Sequence, residues 1–215
     1  YHLLVLADEI YDQMTYEGAE FTPMATLVNH TLCGTLSGLS KVYRACGYRV
    51  GWAVFSGDVE HSREYLSALE LLSSLRLCSN VPGQWAVQTA LGGFQSIHEL
   101  TGPGGRLYES RRAILEAVRR SDFLHVTPPM GACYAFVGVQ AEDLPEEFDD
   151  QQFALDLLEH KHVLVAPGTS FNVPYRNHFR ITNLPEPQMI ADVFARMEEL
   201  LHNYAVGDLP VTRPN

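Results

Sequence analysis

The amino-acid sequence predicts an α/β fold, and two observations support this. Short apolar runs typical of buried strands alternate with longer segments whose apolar residues recur every three or four positions. The 215 residues, of which 46% are hydrophobic and 19% are charged, have the composition of a globular protein and exceed the length of one typical domain. We therefore expect two domains, at residues 1–100 and 101–215.

The first domain is expected to contain three strands and two helices. Apolar runs place the strands at residues 3–7, 31–36 and 49–56. A helix is predicted at residues 58–76, where leucines repeat largely at three and four positions, and most of these leucines are expected in the core. A second helix is predicted from Pro82 to Leu91, because proline suits a first helical turn and two glycines follow the last apolar residue.

The second domain is expected to alternate helices with strands. Helices are predicted at residues 106–120, 151–160 and 185–204, and strands at residues 124–127, 132–137, 163–166 and 177–181. The last helix is expected to turn one apolar face inward, formed by Met189, Val193, Phe194, Met197, Leu200 and Leu201. The acidic stretch at residues 142–150 is expected to be a solvated surface and not a metal site.

Charge and cysteine usage exclude several classes of function. The formal net charge is -11, and the basic residues form no stripe, so nucleic acid is not expected as a partner. No apolar run approaches the ~20 residues that span a bilayer, so no membrane association is expected. The four cysteines have no C-x-x-C spacing, which indicates reduced thiols of a cytoplasmic protein without a metal centre.

A segment rich in serine and glycine carries the most informative chemistry. Lys41 follows Ser37, Gly38 and Ser40, and Arg49 comes eight residues later. A desolvated lysine beside another cation loses its proton more readily and can then react with a carbonyl group. The serine hydroxyls and the guanidinium suit a phosphate. An aldehyde with a phosphate suggests pyridoxal phosphate, whereas the alternative is a solvated lysine at the end of a loop.

This segment also resembles a known signature. It is similar to the lysine motif of the class I/II (fold-type I) aminotransferases, and its local sequence most resembles that of bacterial alanine (glutamate-pyruvate) aminotransferases. The matching residues are Gly38-Leu39-Ser40-Lys41, Gly47, Arg49 and Gly51. Many relatives have a serine where this chain has Gly38. Which of Ser37 and Ser40 would contact the phosphate is therefore left open.

The resemblance implies an architecture. The fold would be that of pyridoxal-phosphate-dependent transferases (aspartate aminotransferase-like), with residues 1–100 as the C-terminal portion of the large cofactor-binding domain and residues 101–215 as the small C-terminal domain. The chain would be the C-terminal part of a longer protein that forms a homodimer. Because earlier residues and the partner subunit also contribute to the family's site, this chain alone is expected to bind the cofactor weakly and to turn over poorly.

The resemblance also implies roles for residues elsewhere in the chain. Asp8 and Tyr11 follow the first predicted strand, and the carboxyl ends of such strands are common ligand sites. In the family, an aspartate at the position of Asp8 pairs with the pyridinium nitrogen, and a tyrosine at that of Tyr11 binds the phenolic oxygen. Taken alone, Asp8 reads equally well as a turn or helix-capping residue.

Arg180 is the candidate for substrate binding. It lies between Phe179 and Ile181 in a predicted strand, where an arginine is costly to bury unless a carboxylate pairs with it. It matches the family arginine that binds the substrate carboxylate, although a solvent-facing arginine on an edge strand is the alternative.

Together these matches imply transamination between an amino acid, alanine or glutamate, and a 2-oxo acid, pyruvate or 2-oxoglutarate, by a ping-pong cycle in which Lys41 moves the α-proton. Two alternatives share these residues. One is a β-lyase or decarboxylase of the same fold, and the other is a non-catalytic fragment or regulatory module.

Overall fold

The structure of the protein is a computed structural model that describes residues 3–140, 144 and 148–208. The chain separates into two compact units, Tyr1–Glu99 and Leu100–Asn215, each with its own sheet. This division falls one residue from the expected boundary. The assignment of the units to a large and a small domain remains a prediction.

The first unit is built on a three-stranded mixed sheet. Its strands are β1 (Val5–Asp8), β2 (Leu32–Gly38) and β3 (Gly51–Gly57), in the order β1-β2-β3. Strand β1 runs parallel to β2, and β3 runs antiparallel to β2. The carboxyl ends of β1 and β2 and the start of β3 therefore lie at one edge of the sheet.

All three strands differ from the prediction. Strand β1 runs from Val5 to Asp8 and not over residues 3–7. Strand β2 continues two residues beyond the predicted end and includes Ser37 and Gly38. Strand β3 begins at Gly51, so the prediction that Arg49 opens this strand is wrong. A 3-10 helix (Cys46–Tyr48) precedes Arg49, whose left-handed backbone (φ 52°) ends that helix and cannot continue into an extended strand.

The helices of the first unit are α1 (Arg63–Ser74) and α2 (Val81–Gly92), and a short α3 (Ile97–Thr101) follows. A 3-10 helix (Met24–Thr26) lies in the loop between β1 and β2. The prediction that most leucines of α1 lie in a core is wrong, because no residue of α1 is buried and Leu71 and Leu72 are 67% and 62% exposed. The periodicity indicates an apolar face, but it does not indicate that this unit covers that face.

The second unit is built on a four-stranded antiparallel sheet. Its strands are β4 (Leu124–Val126), β5 (Tyr134–Val139), β6 (Ala166–Pro167) and β7 (His178–Thr182), in the order β4-β5-β7-β6. The strand predicted at residues 163–166 is wrong in its bounds. Val163 and Val165 are buried, but they lie in a loop, and only the last predicted residue enters β6.

Three helices cover one face of this sheet: α4 (Arg106–Arg120), α5 (Asp150–Lys161) and α6 (Pro187–Ala205). The predicted bounds of α4 are confirmed, and α6 buries four of its six predicted inward residues, Phe194, Met197, Leu200 and Leu201. Val193 is half-buried, and Met189 is 58% exposed, so its inward prediction is wrong. The core of the second unit lies between these helices and the inner side chains of the strands.

The acidic stretch is only partly a surface. Residues 142, 143 and 145–147 lie outside the described residues. Asp150 is fully buried at the start of α5, so the expectation of a solvated face is wrong at this position. Its carboxylate is satisfied by Thr169, whose backbone N–H and hydroxyl both donate to it. A buried charge needs such partners, and residue type alone does not reveal them.

In the described ranges, no helix has the length and apolar character needed to cross a membrane. Within the same ranges, no group of three or more His, Cys, Asp or Glu side chains is arranged to hold a metal ion.

Candidate active site

The polar residues predicted to act together in the first unit lie at one end of its sheet, where β1 and β2 end and β3 begins. Asp8, the last residue of β1, lies opposite Leu36 of the parallel strand β2. Gly38, at the end of β2, lies opposite Gly51 at the start of β3. A β-carbon at Gly38 would lie 2.7 Å from the Val50 carbonyl oxygen, so only glycine permits this close approach. Carboxyl ends of strands in α/β sheets are the usual place for ligands.

The loop that carries Lys41 is fixed by backbone hydrogen bonds and by buried neighbours. Leu39 N–H donates to the Val50 carbonyl at 3.0 Å, and Ala45 N–H donates to the Leu39 carbonyl at 2.9 Å. The side chains of Leu39 and Val42 are buried on either side of Lys41 in sequence. The lysine is thereby held half-buried on an anchored turn.

Lys41 and Tyr11 are brought together by this arrangement. The Lys41 Nζ lies 5.9 Å from the centroid of the Tyr11 ring. Within the described residues, Lys41 makes no ion pair. The chain contains one other lysine, Lys161, whose Nζ lies 2.7 Å from Glu199 Oε1. The amine of Lys41 is therefore available to an external partner, whereas that of Lys161 is engaged. The sequence already limits the choice of a reactive lysine to these two residues.

Asp8 lies at the same sheet edge but is exposed. Its Oδ1 accepts a hydrogen bond from the Ile10 N–H at 3.3 Å, a turn interaction that leaves the other carboxylate oxygen available. The turn that follows places Tyr11 in a half-buried position, with the Met14 N–H donating to the Tyr11 carbonyl at 2.9 Å.

Two titratable groups beside this turn have shifted pKa values. Burial raises the pKa of Asp12, against the hydrogen bond from the Gln13 backbone, and the charge of Glu9 adds to the rise. Burial also raises the pKa of Tyr43, and the charge of Asp12 adds to it. Both shifts follow from taking a potential anion out of water next to another one.

Arg49, Ser37 and Ser40 supply anion-binding groups. The Arg49 Nη1 donates to the Cys46 carbonyl at 2.8 Å, and the guanidinium is exposed without an ion pair to any described residue. Ser37 and Ser40 are half-buried, and neither hydroxyl has a hydrogen-bond partner in the described part of the chain. A guanidinium and two hydroxyls in this condition can bind a multivalent anion.

Arg180 belongs to the second unit. On β7 it lies opposite Phe136 of β5 and Ala166 of β6, and it is half-buried. Its Cζ lies 4.4 Å from the centroids of two rings, those of Tyr134 and Phe171. No described carboxylate pairs with it, so the guanidinium has the environment of an anion-binding group whose partner comes from outside the chain.

The sequence analysis did not predict that these two rings contact Arg180. Tyr134 could have been found, because it alternates with Phe136 along a strand and so shares a face with it. Phe171 is the last residue of a 3-10 helix (Gly168–Phe171), and its approach to Arg180 depends on tertiary packing that the sequence does not display. Arg180 also lines a cleft of about 730 Å³ in this unit, with walls from the segment around β6 and from α6.

Comparison with known proteins identifies aminotransferases as relatives of this chain. A sequence model of the aminotransferase class I and II family matches residues 1–195. The chain is 43% identical over 204 residues to the glutamate-pyruvate aminotransferase AlaA of Escherichia coli strain K12, which covers 95% of this chain and 50% of that protein. It is 41% identical to an alanine aminotransferase of Mycobacterium tuberculosis strain H37Rv, with 95% of this chain and 47% of that protein covered.

Solved structures give the same result for the fold. An aminotransferase from Escherichia coli superimposes with a TM-score of 0.90 at 43% identity, covering 94% of this chain and 50% of that one. An alanine aminotransferase from Pyrococcus furiosus superimposes with a TM-score of 0.85 at 32% identity and the same coverages. The fold is therefore that of the aspartate aminotransferase-like enzymes.

The chain spans about half the length of the curated relatives that it matches. The matched region nevertheless covers nearly all of this sequence and includes every candidate site residue. The chain belongs to the class I and II aminotransferase family.

Proposed function

We propose that this protein is a pyridoxal-phosphate-dependent aminotransferase that exchanges an amino group between alanine or glutamate and a 2-oxo acid, pyruvate or 2-oxoglutarate. The observation that supports the proposal is that Lys41 Nζ lies 5.9 Å from the Tyr11 ring centroid, at the end of the sheet where Asp8 closes β1 and Arg49 precedes β3. The chain is also 43% identical to a glutamate-pyruvate aminotransferase. The substrate pair rests on the names of the relatives.

The donor set at this edge fits the chemistry of pyridoxal 5'-phosphate. The aldehyde calls for an amine without an ion pair, and Lys41 meets this requirement among the described residues. The phosphate calls for a cation and hydroxyl donors, which Arg49, Ser37 and Ser40 supply. The pyridine nitrogen calls for a carboxylate, which Asp8 supplies.

When bound, pyridoxal phosphate accepts the amino group and takes up the electrons of the broken Cα–H bond. The chain's own residues bind and move protons around that chemistry. Lys41 is the residue that would bind the aldehyde, and its free amine would act as the general base that takes the proton from Cα of the amino acid. The Tyr11 hydroxyl would donate a hydrogen bond to the phenolic oxygen, and the Asp8 carboxylate would pair with the protonated ring nitrogen.

Arg180 has the role of binding the α-carboxylate of the amino acid. A guanidinium matches a carboxylate with two parallel hydrogen bonds, which orients the substrate as well as attracting it. Its half-burial and its lack of an ion pair with any described carboxylate support this role. A second 2-oxo acid bound in the same way completes the ping-pong cycle.

We further propose that the protein acts as a homodimer in the cytoplasm. Several large apolar side chains of the first unit are exposed, and contiguous exposed apolar surface is typical of an interface; they include Leu71, Leu72, Leu75, Leu77, Trp85 and Phe94. The four cysteines are free thiols, which suits a reducing compartment.

The two lysines provide a matched test of the proposed activity. Transfer from alanine to 2-oxoglutarate would be measured for the unchanged protein and for the Lys41→Ala and Lys161→Ala variants, each with pyridoxal phosphate present. We expect Lys41→Ala to lower kcat by a factor of roughly 100 to 10,000, the range of general acid and base catalysis. Lys161→Ala should keep the rate, because that amine is engaged by Glu199.

Other products would identify the alternatives. Pyruvate formed from a β-substituted amino acid without any 2-oxo acid would indicate a β-lyase, and released carbon dioxide would indicate a decarboxylase. Binding of pyridoxal phosphate without turnover of any of these substrates would contradict an enzymatic function and favour a regulatory module.

A further inference from the structure

We propose that Tyr134 and Phe171 are positioning residues that hold the guanidinium of Arg180 in one orientation, and that this fixed orientation strengthens the binding of the substrate carboxylate. The inference rests on the proposed function, since it refines how Arg180 recognises a substrate. It assigns a role to two rings that make no part of the chemistry described above.

The first step is the immediate surroundings of Arg180. The Cζ atom lies 4.4 Å from each ring centroid, well within the ~6 Å at which a cation is attracted to an aromatic face. An arginine side chain otherwise has many rotamers, and a flexible guanidinium loses entropy when it binds. Two rings in contact with it reduce that freedom before the ligand arrives.

The second step is the support of Phe171. Phe171 ends a 3-10 helix in which the Thr169 N–H donates to Asp150 Oδ2 at 2.7 Å and the Thr169 hydroxyl donates to Asp150 Oδ1 at 3.1 Å. Asp150 is fully buried, so these bonds are shielded from water. A β-carbon at Gly168 would lie 2.7 Å from the His178 carbonyl oxygen, so this helix packs directly on β7, the strand that carries Arg180.

The third step is a brace between the strands. Phe136 lies opposite Arg180 in the sheet, and its ring meets the Phe171 ring edge to face, with centroids 5.9 Å apart and planes at 88°. Tyr134 is two residues earlier on the same strand and therefore on the same face. The two rings that contact Arg180 are thus attached to separate elements, and one of them is held by a third ring.

The consequence for recognition concerns affinity. A guanidinium presents its N–H donors in one plane, which a carboxylate matches with two parallel hydrogen bonds. When the rings hold that plane before the ligand arrives, less side-chain entropy is lost on binding. The positioning role of Tyr134 and Phe171 is therefore to raise the affinity of Arg180 for the substrate carboxylate.

The test compares ring-removing with ring-keeping variants. Phe171→Leu and Tyr134→Leu are each expected to raise KM for alanine and Kd for glutarate, an unreactive dicarboxylate, by roughly 3- to 10-fold, with kcat changed less than KM. Phe171→Tyr and Tyr134→Phe keep a ring and should keep the original values. Thermal unfolding of each variant establishes that it is folded, and the two positions serve as independent tests if one variant is not.

Arg180→Lys supplies the second readout. If the rings act through the guanidinium, Phe171→Leu should add little to the loss already caused by Arg180→Lys. A folded Phe171→Leu and a folded Tyr134→Leu that both keep the original Kd for glutarate and the original KM for alanine would overturn the inference.

Different results would refute the proposed function and the positioning role of the two rings. Absence of transamination in the unchanged protein, with glutarate binding that still depends on the rings, would refute the proposed function and leave the positioning role supported. Transamination together with glutarate binding that does not depend on the two rings would support the proposed function and refute the positioning role.

Discussion

His178 lies among groups that oppose its protonation. It is half-buried on β7, stacked on Phe136 with ring centroids 5.2 Å apart and edge to face with His125 of β4 at 5.4 Å. Burial lowers the pKa of His178, and the charge of His125 lowers it further, against the opposite effect of Asp150 from α5. The His178 Nδ1 lies 2.9 Å from the Asn177 Oδ1, which suits an N–H donor at that position.

This lowered pKa makes stability depend on pH. The unfolded chain, in which histidine titrates near ~6.5, binds the proton more readily than the folded protein. The stabilising contribution is therefore present above that pH and is lost as the pH falls below it. We predict that the free energy of unfolding drops between pH 7.5 and pH 5.5, and that His178→Gln shows a smaller drop.

Denaturant unfolding at the two pH values measures this directly. The exposed His160 on α5 provides the control, and His160→Gln should keep the drop of the unchanged protein. An equal or larger drop in the free energy of unfolding of His178→Gln would show that another titratable group causes the pH dependence.

At the scale of single residues, the sequence indicated which side chains have functional chemistry better than it indicated which residues surround them. Lys41 and Arg180 could be singled out because residue type and neighbouring residues already limit what such cations can do. The contact of Phe171 with Arg180 and the buried state of Asp150 could not be predicted, because each depends on residues far apart in the chain that meet only in the folded unit.

Helix α5 shows how the second unit is held together. Leu155 and Leu157, two of its three leucines, lie two positions apart in sequence, but Leu157 is fully buried in the core whereas Leu155 is 52% exposed. Leu157 therefore contributes both transfer free energy and packing, and Leu155 contributes little of either.

We predict that Leu157→Ala lowers the free energy of unfolding by about 2–5 kcal/mol, because it removes buried methyl groups and leaves a cavity. Leu155→Ala should change it by less than about 0.5 kcal/mol. Chemical denaturation of the two variants beside the unchanged protein gives both values. Equal losses would mean that the helix presents a different face to the sheet.

Element by element, amphipathic helices that complete their own core were the easiest to predict. Helix α4 begins and ends at the predicted residues because its apolar stripe is covered by its own unit. Helix α1 has a similar period, but none of its leucines is buried and Leu71 and Leu72 are exposed, since periodicity does not specify which chain covers a face. The segment at residues 163–166 was apolar enough for a strand, yet only its last residue pairs in the sheet.

At the scale of the whole molecule, the first unit has open surfaces. Strand β1 is an edge of its sheet, with Leu6 exposed, and α1 and α2 expose apolar side chains. The relatives that match this chain are about twice as long as the matched region. Exposed apolar surface and an unpaired edge favour association with further protein, which agrees with the homodimer proposed above.

The central claim is that Lys41 is the residue that binds pyridoxal phosphate, and the two lysines of the chain allow one direct measurement of it. The purified protein would be saturated with pyridoxal phosphate, reduced with borohydride, digested and mapped by mass spectrometry. We predict that the cofactor is attached to Lys41, whose amine makes no ion pair with the described residues, and that Lys161 beside Glu199 is unlabelled. A label on Lys161, or none on Lys41, would contradict the account.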